Sequence, residues 1–85
     1  MAKRLITQQQ YYSLTVIGKE IHDYWMNHKP KMYESMHKEG TLWETLKSED
    51  ERLFEMAWEL VACQGLRENE MMEIIRAEIY DELMN

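Results

Sequence analysis

The chain has 85 residues, one cysteine, 45% hydrophobic residues and a formal net charge of −6. This length suits one domain and leaves no room for a second. Its apolar runs are too short for a membrane span or a signal-peptide core, so we expect a cytoplasmic protein that binds no membrane. The lone thiol, Cys63, has no partner for an internal disulfide, and we expect it to be a small buried residue.

Charge is divided unevenly along the chain. Residues 1–40 hold six basic and four acidic side chains, a charge of +2, whereas residues 41–85 hold four basic and twelve acidic ones, a charge of −8. An acid-rich surface repels nucleic-acid phosphates and attracts basic proteins. The C-terminal half therefore favours a basic protein as its partner, unless its acidic residues only solvate the helices.

Helical signals begin at Thr7, which opens a capping-box pattern. Apolar residues then recur at helical spacing as far as His28, which predicts a helix preceded by a loose tail at residues 1–7. Gly18 lies inside that helix and weakens it by about 1 kcal/mol relative to alanine. Two interpretations stay open: Gly18 allows a neighbouring helix to approach, or the helix begins near Gly18 and residues 8–17 are less regular.

The next boundaries are marked by proline, glycine and capping residues. Pro30 suits the first turn of a second helix, and Gly40 supplies a left-handed cap at its end. Thr41 and Ser48 each open a further capping box, which predicts a short helix or turn followed by the start of a central helix. Gly65 is expected to end that central helix.

The central helix carries two adjacent apolar stripes, so we expect it to be buried on two sides. Asn69 is the expected cap of a last helix, and nothing after Gly40 reads as a strand. The sequence thus predicts an all-α fold, a compact bundle of four to five helices in a single domain at residues 8–85. The second stripe of the central helix consists of Phe54, Trp58 and Val61. The expected centre of the fold consists of Trp25, Leu42, Trp43, Leu53, Met56, Leu60, Ile75 and Ile79.

Residues that catalyse reactions or bind metals do not form a known pattern here. His22, His28 and His37 are the only histidines, and their spacing does not place two imidazoles on one helix face. The chain has no glycine-rich phosphate loop and no serine or cysteine elbow, and its paired carboxylates are typical of a solvated helix face. We therefore predict a protein that is not an enzyme and has no catalytic residue, metal site or cofactor.

Two surfaces are candidates for binding another macromolecule. One is acidic and would dock on a basic protein; it consists of Glu49, Glu51, Glu55, Glu59, Glu73 and Asp81. The other would hold a nucleic-acid backbone and consists of Lys19, Lys29, Lys31 and Lys38. The ordinary interpretation of the second is that its neighbouring aromatic residues form the core and its lysines are solvated. The sequence also leaves a homodimer open, because methionine-rich faces serve as adaptable binding surfaces.

A set of residues keeps a fixed spacing around the only proline, and it consists of Gly18, His28, Lys29, Pro30, Tyr33, Gly40, Leu42, Trp43, Leu46 and Asp50. This pattern resembles the TnpV family, small proteins encoded by transposons and conjugative elements of Firmicutes. The resemblance implies a mobile-element origin and a helical fold, and it carries no catalytic role. The family's basic run after the glycine is replaced here by Lys19, Glu20, Ile21, His22 and Asp23.

The favoured function is that of a mobile-element accessory protein that binds a basic, nucleic-acid-handling protein as an inhibitor or adaptor. An inhibitor that imitates the charge of nucleic acid, similar to some anti-CRISPR proteins, would be one case. The alternative is a DNA-binding accessory factor in transposon excision or recombination, which would use the lysines of the basic surface.

Overall fold

The computed structural model describes the backbone of residues 3–84 and the side chains of residues 3–80. This part of the chain forms five helices and no strand, so the prediction of an all-α fold with four to five helices is confirmed. None of the described helices is both long enough and apolar enough to cross a membrane. The helices are α1 (Gln8–Ser13), α2 (Val16–His28), α3 (Pro30–Glu39), α4 (Leu42–Ala62) and α5 (Glu68–Met84).

The chain divides into two compact units, which we call unit 1 (Met1–Glu51) and unit 2 (Arg52–Asn85). Unit 1 holds α1, α2, α3 and the first half of α4, and unit 2 holds the second half of α4 and α5. Because α4 is continuous, the division falls within a helix rather than in a linker. The single-domain organisation expected for residues 8–85 stays a prediction.

The expected first helix is two helices with a break at Leu14 and Thr15. The capping box before α1 is present, because the Thr7 hydroxyl accepts from the Gln10 N–H while the Gln10 side chain accepts from the Thr7 N–H. Leu14 is extended, and the Thr15 hydroxyl then caps α2 by accepting from the Gly18 N–H at 3.4 Å. Periodicity hides this break because the apolar spacing continues across it, whereas a threonine N-cap marks it.

The boundaries of α3 are the predicted ones. Pro30 occupies its first turn, and Gly40 follows its last residue with a φ of 77°. The Gly40 N–H donates to the His37 carbonyl, and the next N–H donates to the Met36 carbonyl. This pair of bonds satisfies carbonyls at the helix end that have no partner within the helix, and it needs a left-handed residue, which glycine adopts without strain.

The predicted start of the central helix at Ser48 is wrong, because α4 runs without interruption through that position. A capping-box sequence caps a helix only when the backbone before it is not helical, and here Thr41 has already provided the start. α4 ends at Ala62, and Gly65 follows with a φ of 71°, as expected of a helix stop. Cys63 lies in the turn between them and is exposed, so its expected burial is wrong.

The start of α5 differs from the prediction by about one residue. α5 begins at Glu68, so Asn69 lies inside the helix rather than before it. The Glu70 side chain instead accepts from the Arg67 N–H at 3.4 Å, which is the reach-back half of a capping box.

The buried residues of unit 1 come from α2, α3, the first half of α4 and the segments on either side of α1, and α2 packs on α3. The expected loose tail does not extend to Leu5 and Ile6, because Ile6 is buried and the Leu5 N–H donates to the Tyr33 hydroxyl at 2.8 Å. The buried apolar residues of unit 1 are Ile6, Leu14, Ile17, Ile21, Trp25, Tyr33, Leu42 and Leu46. Those of unit 2 are Leu53, Ala57, Ile75 and Ile79. Three residues expected at the centre are only half-buried, namely Trp43, Met56 and Leu60.

Candidate functional site

The solvent-facing side of α4 combines large apolar and acidic side chains. Phe54, Trp58 and Val61 are 48%, 63% and 43% exposed, so the expectation that α4 is buried on two sides is wrong for this stripe. Their spacing of four and three residues places them on one side of the helix. Glu55 and Glu59 are both exposed. Glu59 follows Trp58 directly in the sequence, and Glu55 lies about one helical turn before it. We call these five residues the α4 face.

A contiguous apolar stripe in contact with water marks a binding surface more often than scattered apolar residues do. Tryptophan is also the residue most enriched among those that dominate the energy of protein interfaces. On the α4 face, Trp58 lies between an apolar edge, Phe54 and Val61, and an acidic edge, Glu55 and Glu59. On such a surface the apolar side chains contribute affinity for a partner, and the carboxylates select a partner of opposite charge.

The predicted acidic surface is partly assembled. Those of its members that are exposed are Glu51, Glu55, Glu59 and Glu73. The three on α4 follow each other at intervals of four residues, about 6 Å along the axis for each step, so they form one row. Glu73 lies on α5. Glu49 is half-buried and already engaged in an interaction, and the side chain of Asp81 lies outside the described residues.

The four lysines of the predicted basic surface differ in exposure and lie on or beside two helices. Lys31 and Lys38 are exposed near opposite ends of α3, about 10 Å apart along its axis. Lys29 is half-buried and precedes α3. Lys19 lies on α2, and its ammonium group lies over the rings of Tyr11 and Tyr12.

The aromatic residues near Pro30 differ in their exposure to solvent. Trp25 and Tyr33 are buried, so the ordinary interpretation of these two as core residues is confirmed. Tyr24 stacks on His28, with 5.1 Å between ring centroids. The rings of Trp25 and Tyr33 are therefore not accessible to a base.

A hydrogen-bonded chain around the buried His22 lies in unit 1, and sequence reasoning missed it. His22 is fully buried, with Nε2 2.6 Å from the Tyr33 hydroxyl and Nδ1 3.1 Å from an Asp23 carboxylate oxygen. The other Asp23 oxygen accepts from the Tyr11 hydroxyl at 3.4 Å. A carboxylate only accepts, so Nδ1–H donates to Asp23, Nε2 pairs with the Tyr33 hydroxyl, and that hydroxyl accepts from the Leu5 N–H.

The order carboxylate, imidazole, hydroxyl is that of a catalytic triad, but the surroundings here are structural. Burial raises the pKa of the Tyr33 hydroxyl above its ordinary value, which opposes its use as a nucleophile. Its oxygen already accepts from Leu5, and His22 has no contact with solvent through which a substrate could enter. Burial, with Asp23 beside it, likewise raises the pKa of Tyr11. The chain therefore ties residues 5, 11, 22, 23 and 33 together.

A second buried contact joins α4 to the start of α2. The Asp50 carboxylate is buried and accepts from both the N–H and the hydroxyl of Thr15. A Cβ placed on Gly18 would lie 2.6 Å from the Asp50 carboxyl carbon, which no real pair of atoms tolerates. Gly18 is therefore required by the approach of Asp50, which confirms the first of the two interpretations of this glycine. The second is also correct in part, because α2 begins at Val16 and residues 8–17 contain a separate short helix and a break.

Several residues of the fixed-spacing pattern now have a structural explanation. Gly18 makes room for Asp50, Pro30 and Gly40 begin and end α3, and Tyr33 joins His22 to the N-terminal segment. Leu42 and Leu46 are buried on α4. The pattern from Gly18 to Asp50 is thus mainly a description of how unit 1 packs, and the α4 face lies outside it.

Among the described residues, no three histidine, cysteine or acidic side chains are arranged to hold a metal ion. No protein-family model matches the chain, nor does any curated protein or solved structure.

Proposed function

We propose that this chain is a non-enzymatic accessory protein of a mobile element, which binds a basic, nucleic-acid-handling protein through the α4 face and the adjoining Glu51. The single observation that supports this function most is the exposure of Trp58 and its apolar neighbours beside a row of carboxylates. The mobile-element origin is supported by the resemblance of residues 18–50 to the TnpV family.

The chemistry of the α4 face selects the partner. Glu55 and Glu59 attract lysine and arginine side chains and speed the encounter with a basic surface. Phe54 and Trp58 then give affinity by burying apolar area, which nucleic acid offers poorly. A basic protein with an apolar patch beside its positive groove fits both requirements, as an inhibitor or adaptor would, and an anti-CRISPR-like charge mimic is one case.

A second copy of the chain fits this face less well. Two α4 faces brought together would place Glu55 and Glu59 of one chain against the same residues of the other, and like charges in contact cost several kcal/mol. A homodimer through the α4 face is therefore not favoured. The homodimer that the sequence leaves open through a methionine-rich face stays a prediction, which sedimentation tests.

The DNA-binding alternative through Lys19, Lys29, Lys31 and Lys38 has less support, because Lys29 is half-buried and the Lys19 ammonium lies over tyrosine rings.

Capture of partners from host lysate, with and without nuclease, tests the proposed function. The double variant Glu55→Lys, Glu59→Lys is compared with Glu34→Lys, Glu39→Lys, which makes the same charge change on exposed residues of α3. We expect the first variant and Trp58→Ala each to lose a partner of pI above about 9, and the α3 variant to keep it in the presence of nuclease. Equal loss in both charge variants would mean that only net charge matters, and loss on nuclease treatment would favour nucleic acid.

A further inference from the structure

The segment from residue 3 to residue 19 differs in charge from the rest of the chain. It contains Lys3, Arg4 and Lys19 and no acidic residue, within a chain whose formal charge is −6. Two of these cations lie over tyrosine rings. The guanidinium carbon of Arg4 is 5.2 Å from the Tyr11 ring centroid, and the Lys19 ammonium is 5.8 Å from that centroid and 5.5 Å from the Tyr12 centroid.

The tyrosine pair presents one fixed ring and one open ring. Tyr11 is held by its hydrogen bond to Asp23 and by edge contact with His22, at a centroid distance of 5.3 Å. Tyr12 packs edge-on against Tyr11, with centroids 5.8 Å apart, and is 64% exposed. Asp23 is the nearby carboxylate seen in these contacts, and both of its oxygens have partners within unit 1.

An open depression beside Tyr12 is lined by hydrogen-bonding side chains. Gln8, Gln9 and Ser13 line it together with Tyr12. The Ser13 hydroxyl donates to the Gln10 carbonyl, which leaves its oxygen as an acceptor. The two glutamines provide amide donors and acceptors at the surface, the groups that read the edges of unpaired bases.

We propose that this N-terminal surface, formed by Arg4, Gln8, Gln9, Tyr12 and Lys19, binds single-stranded nucleic acid. A base stacks on the face of the Tyr12 ring that Lys19 does not cover, the glutamines contact its edge, and Arg4 and Lys19 hold the flanking phosphates. An acidic protein would use the same cations, but it would gain nothing specific from an aromatic ring with amide groups around it. This site shares no residue with the α4 face, so neither proposal depends on the other.

Fluorescence anisotropy of a labelled oligonucleotide of about 20 thymidines, with the full chain at about 20 mM salt, tests this site. We expect binding that Tyr12→Ala weakens at least about fivefold and that Tyr12→Phe retains, because stacking needs the ring and not the hydroxyl. Lys19→Ala should weaken binding and lower the slope of log affinity against log salt by about 0.7. Circular dichroism checks that each variant keeps its helices.

Lys38→Ala and Lys31→Ala are the matched controls, since both remove an exposed lysine from α3. We expect both to bind like the unmodified chain. Absence of binding at low salt, equal losses in Tyr12→Ala and Tyr12→Phe, or a loss in Lys31→Ala as large as in Lys19→Ala would each overturn the proposal. Displacement of the oligonucleotide by polyglutamate of the same charge, with Tyr12→Ala unaffected, would assign the surface to an acidic protein instead.

Discussion

Unit 1 uses buried polar groups to join distant parts of the chain, whereas unit 2 exposes a stripe of three large apolar side chains along one helix. In unit 1, Tyr33 joins His22 to Leu5, and Asp50 joins α4 to Thr15. In unit 2, three basic residues stand against eight acidic ones, a formal charge of −5, and Trp58 is 63% exposed. Buried polar networks specify one packing, and exposed apolar stripes favour binding.

The comparison teaches that one helix serves both purposes. The first half of α4 contributes Leu46 and Asp50 to the interior of unit 1, and its second half carries the α4 face. A substitution in the first half should therefore change stability, and one in the second half should change binding.

The largest expected difference is in the free energy of unfolding of Leu46→Ala and Trp58→Ala. Leu46 is fully buried, so its truncation should lower the free energy of unfolding by about 2–5 kcal/mol. Trp58→Ala should change it by no more than about 0.5 kcal/mol, because the side chain is mostly solvated. Urea unfolding followed by circular dichroism measures both. A loss of several kcal/mol in Trp58→Ala would mean that this residue is structural.

A double-mutant cycle on Gly18 and Asp50 sharpens the account of unit 1. Gly18→Ala should cost about 1–3 kcal/mol, because the new methyl group overlaps the Asp50 carboxyl. Asp50→Ala should cost about 1–3 kcal/mol by leaving the Thr15 N–H without its acceptor. In the double variant the cost of Gly18→Ala should fall by at least about 1 kcal/mol. Additive costs would contradict the close contact.

Tyr33→Phe gives the smallest effect and a pH signature. It removes the hydroxyl that joins His22 and Leu5, which should cost about 1–2 kcal/mol, since the half-buried Leu5 N–H can regain water. Burial raises the pKa of Tyr33, so above the ordinary value of about 10 the unfolded chain loses this proton before the folded chain does. The folded state then binds more protons, and stability falls as pH rises through that window.

Unfolding free energies at a series of pH values from neutral to strongly alkaline measure this effect. Above pH of about 10, the free energy of unfolding of Tyr33→Phe should fall less steeply with pH than that of the unmodified chain. Below that pH, the two proteins should show the same dependence of this free energy on pH. Tyr11 keeps part of the alkaline slope, because its pKa is raised as well. Parallel curves for the two proteins would show that Tyr33 does not resist ionisation.

Local signals in the sequence predicted most of the helix boundaries. Pro30, Gly40 and Gly65 act through their own backbone preferences, which need no knowledge of the rest of the fold. The prediction of a helix start at Ser48 is wrong because a capping-box sequence looks the same inside a helix and at its start. Thr15 was missed because the apolar period ran through the break.

The tertiary features could not be predicted in the same way. His22 and Tyr33 are eleven residues apart and carry no spacing signal, and Asp50 reads as one acid in an acidic run. Whether Phe54, Trp58 and Val61 face the interior depends on what covers that side of α4, because periodicity places residues on a face without saying which face is buried. The candidate site was therefore predicted only through the exposed row of Glu51, Glu55 and Glu59.

Photo-crosslinking in the host cell tests the binding role of the α4 face most directly. A photoreactive phenylalanine analogue is placed at Trp58, and in a control at Val16, a residue of unit 1 that is 68% exposed. The account predicts an adduct with a protein of pI above about 9 at position 58, abolished by Glu55→Lys with Glu59→Lys, and none at position 16. Adducts of equal yield at both positions, or none at position 58, would contradict it.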